Sequence, residues 1–123
     1  MCAAIAGFTG IGLDAFAAHG LKARLAPAIL PVFETAVRYQ ILHALALFAV
    51  AWAWWRWRHR AIGAAGVLFL AGLVLFCGSI YIRALTELPW PGFLTPVGGM
   101  SFLAGWLCLA WGAARSGPGF SPR

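Results

Sequence analysis

The stretch AIGAAGVLFLAGLVLFCGSIYI, residues 61–82, contains no charged side chain. A helix needs about 20 apolar residues to cross the roughly 30 Å hydrocarbon core of a bilayer. The stretch meets that length, and we predict that it forms a transmembrane helix. It decides the fold, because the segments joined to it by short connections must lie in or beside the same bilayer.

Three further apolar runs flank this stretch. The first contains Asp14 and lacks the basic start of a signal peptide, so we predict that it also spans the membrane. The sequence therefore predicts an all-α membrane protein, an antiparallel bundle of four transmembrane helices. The predicted helices cover residues 3–19, 36–57, 61–83 and 95–114. We expect residues 1–115 to form a single domain and residues 116–123 to form a polar tail.

The composition also indicates a membrane protein. Of the 123 residues, 63% are hydrophobic and 10% are charged, whereas soluble domains carry about 25% charged residues. The net charge of +6 is spread over single residues and short clusters between the apolar runs. Lys and Arg collect at the ends of membrane spans, so this pattern favours a lipid environment over a nucleic-acid partner.

The distribution of basic residues predicts the orientation. With four spans, both termini lie on the side that carries Arg56, Arg58, Arg60, Arg115 and Arg123, and the opposite side carries Lys22, Arg24, Arg38 and Arg83. Cytoplasmic segments are enriched in Lys and Arg. We therefore expect both termini to lie in the cytoplasm.

Polar residues gather in one half of the predicted bundle. They are Asp14, His19, Glu34, Arg38, Tyr39, Gln40, His43, Arg83, Glu87 and Thr95. The i, i+4 spacing predicts ion pairs between Glu34 and Arg38 and between Arg83 and Glu87, and i, i+3 spacing brings Gln40 to His43. An aspartate within a span costs about 2.5–3.5 kcal/mol, so Asp14 is expected to contact His43 or Arg83. Thr95 precedes a proline and is the predicted N-cap of the fourth helix.

Small residues form stripes on the last two helices. Lipid provides no hydrophobic force between helices, so close packing along small residues holds them together. The stripes predict that the third helix packs on the fourth, through Ala65, Gly72 and Ser79 on one and Gly98, Ser101, Gly105, Cys108 and Gly112 on the other.

Four motifs carry a resemblance to a known family: AHGLK (18–22), FETAVRYQILHALAL (33–47), CGSIYIRAL (77–85) and LTPVGGMSFLAGW (94–106). The chain resembles the small membrane proteins catalogued as domain of unknown function 423, whose animal relatives are called transmembrane protein 256. The resemblance implies four helices in an inner membrane and no established activity. Its typical residues fall on His19, Gly20, Glu34, Arg38, Tyr39, Gln40, His43, Thr95, Pro96, Gly98 and Gly99, while Asp14 and Ala17 stand where glycines are typical.

Three hypotheses for the function follow. The first is a structural, accessory or scaffold subunit whose polar residues fix the helices and meet other membrane proteins or a second copy. The second is a proton or small-solute conduit through Asp14, His19 and His43, since ionisable residues within a membrane often line such paths. The third is a haem- or lipid-binding protein, in which His19 and His43 would be the haem ligands. No enzyme motif is present, and we expect neither catalysis nor a resident cofactor.

Overall fold

The fold consists of four long helices. The computed structural model describes residues 1–86 and 92–116. Helix α1 covers Cys2–Leu21, α2 covers Leu30–Trp57, α3 covers Arg60–Thr86 and α4 covers Leu94–Ser116. Each is long and apolar enough to cross a membrane. The described residues contain no strand, and the prediction of an all-α membrane fold is confirmed.

Helix α2 begins earlier than its predicted start at residue 36. Its first residue is Leu30, and Pro31 lies in the first turn. A proline is tolerated there because the first N–H groups of a helix have no partner within the helix. The motif of residues 33–47 therefore lies well inside the helix, and His43 lies near its midpoint.

The connection between α2 and α3 is very short. Arg58 ends α2 in the left-handed conformation, with φ of 52°, and its N–H donates to the Trp54 carbonyl at 3.0 Å. His59 then caps α3, because its Nδ1 accepts the Ala61 N–H at 3.2 Å. Both residues thus act in reversing the chain direction, which makes α2 and α3 antiparallel.

Helices α3 and α4 form the most extensive helix pair. Gly98 lies against the backbone of Phe76, and Gly112 lies against Ile62. A Cβ atom at either position would clash with α3, so these two glycines allow the close approach that lipid-embedded helices need.

Helix α1 lies at the edge of the bundle. Three of its buried positions, Ala3, Gly10 and Ala17, recur every seven residues and form a narrow seam of small residues, and Leu21 is buried at the end of the helix. The seam packs on α2, with Gly10 beside Ile41, whereas the described residues of α1 make no packing contact with α4. The four helices pack together as predicted, but α1 is held mainly by α2.

Two helices contain a π-helical segment, at Ala17–Leu21 in α1 and at Leu73–Gly78 in α3. A π turn inserts one extra residue into a helix. In α3 the spacing of buried residues is three or four up to Gly72, and the next buried residue, Cys77, follows five residues later. The insertion therefore rotates the last part of α3, which carries Tyr81 and Arg83, relative to the first part.

Candidate functional site

His43 is the most enclosed ionisable residue of the predicted polar set. Its side chain is 2% exposed. Nδ1 lies 2.7 Å from the carbonyl oxygen of Tyr39, and Trp106 Nε1 donates to Nε2 at 3.2 Å. An indole N–H can only donate and a carbonyl can only accept. The imidazole is therefore neutral, with its hydrogen on Nδ1, and both of its nitrogens are occupied.

Aromatic rings from α3 and α4 surround this imidazole. Phe102 stacks on His43 with ring centroids 3.7 Å apart and an interplanar angle of 15°. Phe69 meets its edge at 5.3 Å. Tyr39, one turn away on α2, stacks on Phe76 at 5.1 Å. These rings separate the imidazole from lipid and from water.

Glycines on the facing helices make room for the rings. Gly72 lies directly against the ring of Phe102, and a Cβ atom at Gly105 would lie 2.7 Å from the ring of Phe69. The two residues belong to the stripes that the sequence analysis assigned to helix packing. In the structure each of them contacts a ring that covers His43.

Gln40 connects three helices. Its Nε2 donates to the Ala6 carbonyl at 2.9 Å and to the Thr9 hydroxyl at 2.8 Å, both on α1. Its Oε1 accepts the hydroxyl hydrogen of Tyr81 on α3 at 2.8 Å. The predicted contact between Gln40 and His43 is wrong, because Gln40 faces α1 and α3 while His43 faces α4.

A third polar contact joins α3 to α4. The hydroxyl oxygens of Ser79 and Thr95 lie 2.7 Å apart, and Ser79 also donates to the Phe76 carbonyl at 2.9 Å. The predicted N-cap role of Thr95 is wrong, because α4 already begins at Leu94 and the Thr95 hydroxyl points to α3. Ser101, another residue of the stripe, donates to the Val97 carbonyl of its own helix at 3.1 Å.

The charged residues do not pair as predicted. Within residues 1–86 and 92–116 no ion pair forms, so the expected Glu34–Arg38 pair is wrong. Arg38 lies on the exposed row of α2 with Leu42 and Leu45, where its long side chain can extend towards the interface. Its expected partner Glu34 is only half-buried.

Asp14 does not reach either of its expected partners. The side chain is exposed, and it has no hydrogen bond or ion pair to any residue in the described ranges. Gly10 lies beside Ile41, so four residues further along α1 Asp14 lies level with Val37 of the antiparallel helix. The prediction is wrong because Asp14 points outward and lies about nine Å in helix rise from the level of His43.

His19 and Arg83 of the predicted set are surface residues. His19, in the π-helical end of α1, is exposed, and so is Arg83 on α3. Glu87, the expected partner of Arg83, lies outside the described residues. Within the set, Gln40, His43 and Thr95 thus form hydrogen bonds to other helices, whereas the charged or titratable residues Asp14, His19, Arg38 and Arg83 are exposed.

A cavity of about 340 Å³ opens beside Arg83, between the start of α2, the end of α3 and the start of α4. Its wall combines apolar side chains with three polar ones: Val32, Ile80 and Ala84, with Ser79, Thr95 and Arg83. Apolar walls with a few polar groups are typical of small-molecule sites. Within the described residues, no three His, Cys, Asp or Glu side chains lie close enough together to hold a metal ion.

Sequence reasoning missed several residues of this interior. Trp106, Tyr81 and Thr9 supply hydrogen bonds to His43 or Gln40. One signal was available: an indole N–H in an apolar helix needs an acceptor, and Trp106 and His43 both lie near the middle of their helices. The rotation of α3 at its π-helical segment gave no such signal.

Comparison with known proteins identifies the family. A family model described as Protein of unknown function (DUF423) matches residues 13–99. The UPF0382 membrane protein YwdK of Bacillus subtilis (strain 168) is 39% identical over 115 residues, covering 91% of this chain and 92% of the relative. The UPF0382 inner membrane protein YgdD of Escherichia coli (strain K12) is 39% identical over 120 residues, covering 92% and 86%. No solved structure matches the chain. The chain is an integral membrane protein that belongs to the DUF423 family.

Proposed function

We propose that this chain is a non-catalytic scaffold or accessory subunit of a membrane assembly. The supporting observation is that its interior polar groups satisfy one another. Both nitrogens of His43 and both ends of the Gln40 amide are hydrogen-bonded, and no buried side-chain nitrogen or oxygen in the described chain lacks a partner. Such groups fix helix positions and leave no free acid, base or ligand for chemistry.

The same geometry gives less support to a conduit. Asp14 and His19 lie on the exposed surface of α1, while His43 is enclosed by α2, α3 and α4. Asp14 points outward and lies about nine Å in helix rise from the level of His43, so the three groups do not form a continuous path. Haem ligation by His19 and His43 is also disfavoured, because Nε2 of His43 already accepts a hydrogen bond from Trp106.

The test of the scaffold role is purification of the full chain from its own membrane in a mild detergent. We expect a stoichiometric complex with at least one other membrane protein. Proteoliposomes that contain the chain and a trapped pH indicator provide the counter-experiment, and we expect proton leakage equal to that of protein-free vesicles. Leakage that is lost on His43→Gln substitution would contradict the proposal.

The orientation belongs to this proposal. Five arginines on the side of both termini, against four basic residues on the other side, support cytoplasmic termini. Cys2 is exposed at the start of α1, so labelling of its thiol shows on which side of the membrane the N-terminus lies. A membrane-impermeant maleimide should label it in inverted inner-membrane vesicles and not in intact spheroplasts, with Cys2→Ser as the control. Labelling in intact spheroplasts would reverse the orientation.

A second candidate function is binding of an anionic lipid. The cavity beside Arg83 favours it, because an apolar wall next to a guanidinium suits an acyl chain with a phosphate group. We expect native mass spectrometry to show more adducts with phosphatidylglycerol than with phosphatidylcholine, and fewer with the Arg83→Gln variant. Arg60→Gln, at the opposite end of α3, is the matched control. Equal adducts for all three proteins would reject the candidate.

A further inference from the structure

We propose that a second copy of this chain packs against the outer face of α1 and α2, so that Asp14 of each copy pairs with Arg38 of the other. The outer face is the exposed surface formed by Ile11, Asp14, Arg38, Leu42 and Leu45. The scaffold role leaves its partner undefined, and this inference names a partner and the residues that recognise it.

Asp14 and Arg38 point to the same side of the molecule. On α1, Thr9 and Leu13 line the groove towards α3, and Gly10 contacts α2. At about 100° per residue, Asp14 lies about 40° from Gly10, on the side opposite to Thr9. Asp14 therefore faces away from α3.

The same reasoning places Arg38 on that side. On α2, the carbonyl of Ala36 accepts a hydrogen bond from Cys77 of α3 at 3.3 Å. Arg38 follows Ala36 by two residues, which corresponds to about 200° around the helix. It is exposed, and its neighbours on the same row, Leu42 and Leu45, are 52% and 64% exposed.

The two charges also lie at the same depth in the membrane. The contacts of Gly10 with Ile41 and of Gly7 with Ala44 set the register of the antiparallel pair. In this register Asp14 is level with Val37, one residue from Arg38. Both charges are about 10–12 Å in helix rise from the nearer ends of their helices, at Leu21 and Leu30.

Neither charge is satisfied within the chain. Asp14 and Arg38 form no hydrogen bond or ion pair with the described residues. An aspartate that faces hydrocarbon is energetically costly unless it finds a partner. A partner that brings a cation to this depth on this face would remove that cost.

A second copy has the required chemistry. A two-fold axis perpendicular to the membrane relates two copies without changing the depth of any residue. Because the acid and the base lie at equal depth on one face, such a dimer brings each Asp14 beside the partner's Arg38. The symmetric contact then contains two ion pairs, embedded in the apolar surface of Ile11, Leu42 and Leu45.

Charge reversal provides the test, with the full-length chain in lipid nanodiscs and subunits counted by single-molecule photobleaching. We expect dimers of the natural chain. The Asp14→Arg and Arg38→Asp variants should each lose dimer affinity at least about tenfold, because each places like charges together. The doubly reversed variant should form dimers again.

Mixing the two single variants separates pairing between copies from pairing within a copy. In a mixed dimer, the arginine at position 14 of one variant faces the aspartate at position 38 of the other, and the second pair is Arg38 with Asp14. We therefore expect co-expression with two different affinity tags to restore dimers, even if each variant alone is poorly stable. A monomeric natural chain, unaffected dimers of the single variants, or no rescue on mixing would overturn the proposal.

Discussion

The indole nitrogen of Trp106 on α4 lies 3.2 Å from Nε2 of His43 on α2 and donates a hydrogen bond to it. The bond crosses the interior of the bundle near the midpoints of both helices. It settles the tautomer of the imidazole, because the opposite nitrogen must then donate to the carbonyl of Tyr39. This hydrogen bond joins α4 to α2 through an enclosed imidazole and a partly exposed indole.

Substitutions of Trp106 and His43 should have coupled, non-additive effects on stability. Trp106→Phe leaves the buried Nε2 of His43 without a hydrogen-bond donor. We expect a loss of about 1–3 kcal/mol in the free energy of unfolding. The double variant Trp106→Phe/His43→Phe should lose less than the sum of the two single variants. Denaturant titrations in detergent micelles measure these differences, and strictly additive losses would contradict the hydrogen bond.

Substitution of Gln40 should weaken the packing of α1 on the rest of the bundle. Gln40→Leu removes the hydrogen bonds to Ala6, Thr9 and Tyr81, while the volume of the side chain changes little. We expect faster amide hydrogen exchange along α1 and little change in α3 and α4. Tyr81→Phe, which removes one of the bonds, should give a smaller effect, and exchange that rises equally in all four helices would argue against this role.

Glycines that contact rings should tolerate a methyl group poorly. Gly105→Ala brings its Cβ to 2.7 Å from the ring of Phe69, and overpacking of this kind costs about 1–3 kcal/mol. Gly12→Ala is the matched control, because no atom lies within 4 Å of its Cβ position. Thermal unfolding in detergent should show a lower midpoint for the first variant and an unchanged or slightly higher midpoint for the second, because alanine favours a helix more than glycine does.

The turn between α2 and α3 should gain stability from glycine. Arg58 has a φ of 52°, a conformation that costs a residue with a Cβ about 1–2 kcal/mol. Arg58 also places its guanidinium 5.9 Å from the ring of Trp54, a contact worth about 0.5–1 kcal/mol at an exposed site. We expect Arg58→Gly to raise the midpoint of thermal unfolding slightly. A clear decrease would show that the cation–π contact outweighs the cost of the left-handed backbone conformation.

The parts of the fold that depend on composition and length could be predicted from the sequence. The uncharged run of residues 61–82 lies within α3, and the small residues at Gly98, Gly105 and Gly112 lie against α3. A lipid environment leaves few alternatives for such segments, because each must be helical and must pack through small residues. The family also could be recognised, since its motifs extend over most of the chain.

Side-chain partners could not be predicted in this way. Spacing within α2 suggested that Gln40 bonds to His43 and that Glu34 bonds to Arg38, but each side chain is directed by the helix that it faces. Gln40 turns to α1, and His43 turns to Trp106 of α4. The π-helical segment at Leu73–Gly78 also rotates the last part of α3, and no residue pattern in the sequence predicts this segment.

The position of Gln40 has a consequence for the order of assembly during synthesis. Helix α1 is synthesised before α2 and α3, but the residues that hold it belong to α2, and the Gln40 amide is itself oriented by Tyr81 near the end of α3. Helix α1 therefore acquires a fixed position only after two later helices have entered the bilayer. Until the side chains of Gln40 and Tyr81 are in place, α1 can rotate and shift along its own axis within the bilayer.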